Sequence, residues 1–437
     1  MKLKKIAALL AVAGISAPAF ATNGMNMEGY GPIATGMGGA SFAYDNGTAA
    51  VINNPATLGF MASGSSRLDV AVGGLHPDVT AKMAGMPNAA SGGDAYYMPA
   101  FGYVRKDGKL TYGVAVFAQG GMGTEYSSSS FMALGSGKDA RSELGVGRLI
   151  FPLAYDVSPD FTVGGSIDFV WATLDLKMAA TGAQLGGLVT GASGNLAMAL
   201  PALGGAPWAR IDFSDDNKYS GSAKGTGWAG KLGFTYRVNK QLAIGGVYQS
   251  KTSLDDLETG STGAAMTAFG GFADSGKIFV RNFQWPETYG IGIAFQATPQ
   301  WLIAADVKQI NWSGVMKDFK MTYVSAVMGG SVDFALPQNW KDQTVLQLGA
   351  TYQMNDALAL RFGLNTSRNP VPNTYLNALF PAIIKDHYTF GVGYKFSKAS
   401  ELNGSLVYAP KVTQTAASGI TNEHSQTNWQ VMYTHRF

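Results

Sequence analysis

Tyr388-Thr389-Phe390-Gly391-Val392-Gly393-Tyr394-Lys395-Phe396 is the stretch that decides how this chain is read. Successive side chains of an extended strand point to opposite faces. One face here is aromatic or aliphatic, and the other is Thr, Gly and Lys. The pattern recurs elsewhere. Trp228, Leu232, Phe234 and Tyr236 oppose Lys231, Gly233, Thr235 and Arg237, and Leu346, Leu348, Ala350 and Tyr352 oppose Gln347, Gly349 and Thr351. A water-soluble sandwich also alternates. In these strands, however, aromatics stand at the ends like an interfacial girdle, and the polar face carries glycine and charge, which is the habit of a transmembrane barrel.

Composition agrees. Only 14% of the 437 residues are charged and 57 are Gly, yet no apolar stretch beyond the N-terminus approaches the length of a spanning helix. Alternating lipid-facing and lumen-facing residues dilute hydropathy in this way. At the N-terminus, Lys2, Lys4 and Lys5 precede an apolar run from Ile6 to Ile15 and a small-x-small site at Ala19-Phe20-Ala21. That order reads as a removable signal peptide over 1–21, with the mature chain starting at Thr22. Cysteine is absent, which excludes a lipidated cysteine anchor, disulfides, zinc–thiolate sites and iron–sulfur clusters. The four His (His76, His387, His424, His435) show no ligand spacing, so neither a metal nor a cofactor is expected. Without the three signal lysines the basic and acidic residues balance at 29 each, which gives no footing for nucleic acid.

Tight-turn sequences recur at 106–109, 158–160, 238–240, 298–300, 354–356 and 397–399. Long connections alternate with them near 84–95, 121–140, 177–220, 254–277, 314–338, 369–384 and 411–423. Six short and seven long connections predict a 14-stranded antiparallel β-barrel over 65–437, with short turns in the periplasm and long loops outside. The closing strand, Trp429 to Phe437, alternates and ends on an aromatic residue, resembling the signal read by barrel-assembly machinery.

Residues 22–64 do not alternate. They are rich in Gly and poor in charge, yet they carry Met25, Met27, Tyr30, Ile33, Phe42, Val51, Ile52 and Leu58. Such a segment seeks burial rather than disorder, and the lumen is the nearest dry volume, so an N-terminal plug is expected. Gly36-Met37-Gly38-Gly39-Ala40-Ser41-Phe42-Ala43, then Asp45, then Asn54-Pro55-Ala56 resembles the hatch of the FadL family of outer-membrane transporters for hydrophobic compounds. Trp285-Pro286, Tyr289-Gly290 and the aromatic terminus agree with it, so the resemblance covers the whole chain. It implies uptake of small hydrophobic molecules, most of all long-chain fatty acids or otherwise aromatic hydrocarbons, with hatch and gating residues Gly36, Gly38, Gly39, Asn54, Pro55 and Ala56. It also implies capture in apolar outer loops, a lumen pocket and a lateral exit through the wall.

The long loops are apolar for exposed connections, with Leu185, Leu188, Leu196, Leu200, Phe269, Phe272 and Phe319 as candidate ligand contacts. The alternative is a lid in which they pack on one another. Strand parity turns Arg148, Lys231, Lys308 and Arg361 inward. Arg148, Lys308 and Arg361 are candidate partners for a carboxylate, although Lys308 follows inward Asp306 and an internal ion pair suits it better. The Gly120-Gly121 region and Pro152 are candidates for strand irregularity. Expected partners are the hydrophobic ligand, outer-membrane lipid and lipopolysaccharide, and the assembly machinery, for a monomer. A passive porin would show a charged constriction loop, and an outer-membrane hydrolase would need a nucleophile and base that are not apparent, so no enzyme is expected. An adhesin or phage-receptor role for the loops is compatible with transport.

Overall fold

The computed structural model describes residues 23–214, 221–260 and 263–437, so the expected signal peptide lies outside the described residues. The chain forms one all-antiparallel sheet of 23 strands. In order these are β1 (Ser66–Lys82), β2 (Ala89–Ala90), β3 (Tyr96–Asp107), β4 (Leu110–Tyr126), β5 (Ala140–Asp156) and β6 (Phe161–Ala180). Next come β7 (Val189–Ser193), β8 (Ala209–Asp212), β9 (Ala223–Arg237), β10 (Leu242–Gln249), β11 (Ser253–Leu254) and β12 (Leu257–Glu258). β13 (Ala264–Ala268), β14 (Phe272–Arg281), β15 (Thr288–Gln296), β16 (Trp301–Ile310), β17 (Asp318–Ser325) and β18 (Ser331–Pro337) follow. The last are β19 (Gln343–Gln353), β20 (Leu358–Ser367), β21 (Asp386–Lys395), β22 (Ser400–Thr415) and β23 (Thr421–Arg436).

Pairing runs β1–β3–β4–β5–β6–β9–β10–β15–β16–β19–β20–β21–β22–β23 and returns to β1, where Arg67 meets Arg436. Closure leaves no edge with unpaired N–H and C=O groups, which lipid would not tolerate. At the long-loop end, β8, β13, β14 and β17 carry the wall onward from β6. Counted with these four, the barrel has eighteen strands, not the fourteen expected. The reading of 177–220, 254–277 and 314–338 as plain connections is therefore corrected. Their backbones satisfy their own polar groups by pairing, because an apolar cap cannot leave them to water. The connection expected over 411–423 also shrinks to 416–420, since β22 and β23 continue into it.

Exposed faces carry the predicted aromatic and aliphatic residues. Tyr388, Phe390 and Tyr394 are exposed while His387 and Thr389 are buried, and Leu346 and Leu348 are exposed around buried Gln347. Exposed Tyr112, Tyr155, Tyr236, Phe295, Trp301, Tyr394, Phe396 and Phe437 ring the short-turn end. Five of the six short turns are closed by one side-chain oxygen each. Ser158, Asn239, Thr298, Asn355 and Ser397 each accept two backbone N–H bonds from the residues that follow, the local geometry these residue types favour in turns.

Across residues 23–61 only Asp45 is exposed. The segment crosses from Thr389 on β21 to Asp306 on β16, the Phe234 carbonyl on β9 and Asp69 on β1, and the Thr389, Asp306 and Asp69 side chains lie on the face opposite the exposed aromatics. It contains little regular structure, so its backbone finds partners in inward polar side chains. Thr389 Oγ1 accepts from Gly38 N (3.0 Å), Gln347 Nε2 donates to Glu28 O (3.0 Å), and Asp69 Oδ2 accepts from Thr48 N (2.7 Å). Asp306 Oδ2 accepts from Ser41 N (2.6 Å) and Phe42 N (3.1 Å). Asp306 thus serves the segment's backbone, and no Lys308–Asp306 ion pair forms among the described residues, which corrects that expectation. Inward glycines bring the two backbones close. A Cβ at Gly363 would overlap Gly38 N, one at Gly245 would overlap Phe42 O, and one at Gly164 would strike Ala56.

Candidate functional site

At the long-loop end a narrow apolar cleft lies beneath the loops. Leu144 of β5 and Leu174 of β6 form its wall, Phe319 of β17 and Phe380 of the loop after β20 its roof, and Met25 of the N-terminal segment one side. Residues 376–384 reach the cleft because their loop folds inward. Ala378 O accepts from Tyr126 Oη (2.9 Å), and Phe380 stands 6.5 Å from Phe319, centroid to centroid. Trp340 also borders it, at the end of an edge-to-face stack with Trp312 and Trp285.

Close by, the wall is interrupted. β3 and β4 pair only from Phe101↔Val116 to Asp107↔Leu110, although β3 starts at Tyr96 and β4 runs on to Tyr126. On its other side the β4–β5 register shifts between Ala118 and Gly120, where Gly120 has φ 159°. The irregularity expected around Gly120-Gly121 is therefore present. Pro152 lies where the β4–β5 pairs between Tyr112↔Leu153 and Ala115↔Ile150 are missing, with no change of register. A small cavity occupies the β3–β4 gap, bordered by Val72, Pro99, Ala100, Ala118, Met27 and Tyr30. Pro99 suits such a rim because it has no N–H to leave unpaired.

The N-terminal residues span this gap from inside. Asn26 forms an antiparallel bridge with Gly120, and Gly121 N donates to Met25 O (3.0 Å). Asn26 Oδ1 accepts from Trp285 Nε1 (2.9 Å) and Gln119 Nε2 (2.9 Å), and Tyr30 Oη donates to Gln119 O (2.6 Å). Burial pushes the Tyr30 phenol well above its ordinary pKa, so it stays a neutral donor. A Cβ at Gly120 would overlap Met25 O, which explains glycine there.

Asn54, Pro55 and Ala56 form the corner expected of them. Asn54 Nδ2 donates to Phe42 O (2.8 Å) and Phe234 O (3.1 Å), while Asn54 Oδ1 accepts from Ala56 N (3.1 Å). Pro55 opens the short helix Pro55–Phe60 from an extended Asn54 (φ −139°, ψ 106°). Gly36 ends the helix Pro32–Gly36 and rests on Gly391; Gly38 (φ 69°) and Gly39 (φ 86°) then turn the chain in a conformation that disfavours other residues.

Of the candidate ligand contacts, Phe319 alone lines the cleft. Leu185 and Leu196 are buried in the lid, with Leu188, Leu200 and Phe272 packed against it, and Phe269 is exposed. The candidate cations stand apart from the cleft. Arg148 is locked to Asp168 (2.8 Å), both fully buried. Arg361 Nη1 donates to Asn403 Oδ1 (3.0 Å) at the short-turn end. Lys308 borders a separate cavity lined by polar side chains, among them Lys231, Glu28 and Gln119. Asn26, Gln119 and Trp340 were not singled out from sequence; the paired glycines at 120–121 inside a strand were the one available signal.

A family profile described as "Outer membrane protein transport protein (OMPP1/FadL/TodX)" matches residues 8–435. Among solved structures, the P. putida toluene transporter TodX has a TM-score of 0.83 at 32% identity, covering 94% of this chain and 99% of that one. The Ralstonia pickettii toluene transporter TbuX has 0.79 at 32%, with the same coverage. Among curated proteins, the long-chain fatty acid transport protein of Salmonella typhi is 24% identical over 309 residues, 68% of this chain and 66% of that protein. An uncharacterized protein of Chlorobium limicola is 58% identical over 73 residues, 17% of this chain and 36% of that one. The chain thus spans 66% and 36% of the lengths of these two curated relatives.

Proposed function

Because the chain belongs to the OMPP1/FadL/TodX family of outer-membrane transport proteins of Gram-negative bacteria, we propose that it takes up small uncharged hydrophobic molecules, aromatic hydrocarbons foremost. They enter through the outer loops into the apolar cleft and leave sideways through the β3–β4 gap. Residues 22–64 act as the hatch, and residues 1–21 as the removable signal. One observation carries this reading: the same few N-terminal residues border the cleft at Met25 and the gap at Met27 and Tyr30, so their displacement would join the two. A lateral exit keeps the ligand dry, whereas release into water forfeits about 0.8 kcal/mol for every exposed methylene.

The expected preference for a fatty acid is less well supported by the cleft, which has no cation on its lining. A fatty acid remains the second reading, because Lys231 and Lys308 border the polar cavity beyond Asn26 and could meet a carboxylate once the hatch moves.

Cells that make this protein should accumulate labelled toluene faster than cells that lack it, and the purified protein in planar bilayers should pass no steady ion current. A porin-like conductance would defeat the hatch, and unchanged accumulation would defeat the transport reading.

The hatch also makes a local prediction. Asn54→Ala removes three hydrogen bonds and strands Phe42 O and Ala56 N, at a cost of about 1–3 kcal/mol. The barrel should still assemble, as judged by heat-modifiable gel mobility, while uptake falls several-fold. Unaltered uptake would reduce the corner to an ordinary turn.

A further inference from the structure

The three stacked tryptophans differ in one respect. Trp285, Trp312 and Trp340 have ring centroids 5.7 and 5.2 Å apart and are at most 2% exposed. Trp285 Nε1 donates to Asn26 Oδ1 (2.9 Å), and Trp312 Nε1 donates to Gln343 Oε1 (3.2 Å). Trp340 Nε1 is buried and has no acceptor among the described residues. Of the three, Trp340 is also the one that borders the apolar cleft. A buried N–H left without an acceptor is destabilising, and Phe would fill a similar space without that cost.

The rest of the lining narrows what could accept this hydrogen bond. Among the described residues, Gln338 and Asn377 are the only other polar side chains on it, and Asn377 Oδ1 is already taken by Leu379 N (2.9 Å), which leaves the Asn377 amide as a second donor. With no cation present, a carboxylate would be buried without a counter-charge, which is costly. We infer that the cleft, while admitting bare aromatic hydrocarbons, holds more tightly a neutral hydrophobic molecule of the same size that bears a single acceptor oxygen, such as an aromatic ketone or ether, and that Trp340 Nε1 donates to that oxygen. The inference rests on the cleft being the binding site proposed above. It makes Trp340 a specificity residue that separates oxygenated rings from bare hydrocarbons of the same size.

Acetophenone and ethylbenzene form a suitable probe pair, alike in size and differing by the carbonyl oxygen. Binding of each to the full-length protein in detergent should be compared with binding to Trp340→Phe. The acetophenone-to-ethylbenzene affinity ratio should drop about fivefold in the variant, the effect of one neutral hydrogen bond, because the lost indole contact weakens both probes alike and cancels in the ratio. In wild-type protein carrying 15N-labelled tryptophan, one indole N–H resonance should move downfield with acetophenone and not with ethylbenzene; this arm decides the matter even if the variant fails to assemble. An equal ratio in both proteins with no downfield shift would overturn the inference, while saturable ethylbenzene binding would leave the hydrocarbon reading standing. Saturable binding of neither probe would overturn both.

Discussion

Replacing Phe319 with Asp should weaken binding of a neutral aromatic ligand by about a hundredfold. The Phe319 ring forms part of the roof of the apolar cleft and faces Phe380. Losing its apolar contact costs about 1.5–3 kcal/mol. A carboxylate in its place must then be desolvated when the ligand enters, which adds to the penalty. At 1.4 kcal/mol for each factor of ten, these effects reach roughly two orders of magnitude. Phe319 is only half-buried on β17, so the barrel should still assemble. Met198→Asp is the matched control, because Met198 is 73% exposed on the helix Gly194–Leu203 and does not line the cleft. Equilibrium binding in detergent measures all three proteins. Equal affinities would move the site away from this cleft.

Filling the wall gap should have the opposite signature, with binding intact and transport lost. Ala100 of β3 and Ala118 of β4 both border the gap, and both are small and half-buried. In the double variant Ala100→Trp, Ala118→Trp, two indoles would crowd the gap between the strands. Overpacking typically costs about 1–3 kcal/mol, which a closed barrel of this size should bear. Affinity for the ligand should stay within about twofold, while uptake by cells should fall to the level of cells lacking the protein. Uptake near the wild-type rate would mean that the ligand leaves elsewhere, most simply past the N-terminal segment toward the short-turn end.

The two variants probe features that differ in how far the sequence exposed them. Lipid-facing and inward residues of β9, β19 and β21 were legible because alternation is a property of neighbours, readable two residues at a time. The same parity placed Arg148 inward, yet its partner Asp168 lies on the next strand, diagonal to it, and comes within reach only through the β5–β6 register. Lys308 shows the limit of the method. Its neighbour Asp306 offered an ion pair, but the backbone of Ser41 and Phe42 claimed that carboxylate from across the lumen. Parity states which face a charge occupies, and it is silent on what else arrives there.

The loops show the same limit at a larger scale. Their apolar content was plain, and their residues were candidates for a ligand surface or a lid. In the fold most of them pack on one another, and the cleft combines Phe319 and Phe380 of those loops with Met25, Leu144 and Leu174 from outside them. These come from five separate elements, and no local pattern marks them as a set.

The sequence by itself determined that this chain is an antiparallel membrane barrel with an apolar segment ahead of it, because lipid on one side and polar groups on the other impose a period of two on every strand. It also carried the corner at Asn54-Pro55-Ala56, whose geometry follows from proline and its neighbour. The tertiary structure decided the number of strands, the place where the wall opens and the residues that surround the cleft. The added strands arise where loops pair with one another, the gap arises where β3 and β4 stop pairing, and residues 23–27 lie against that gap nearly a hundred positions from Gly120 in the chain. Such contacts depend on register and closure around the whole ring, a property no single strand possesses.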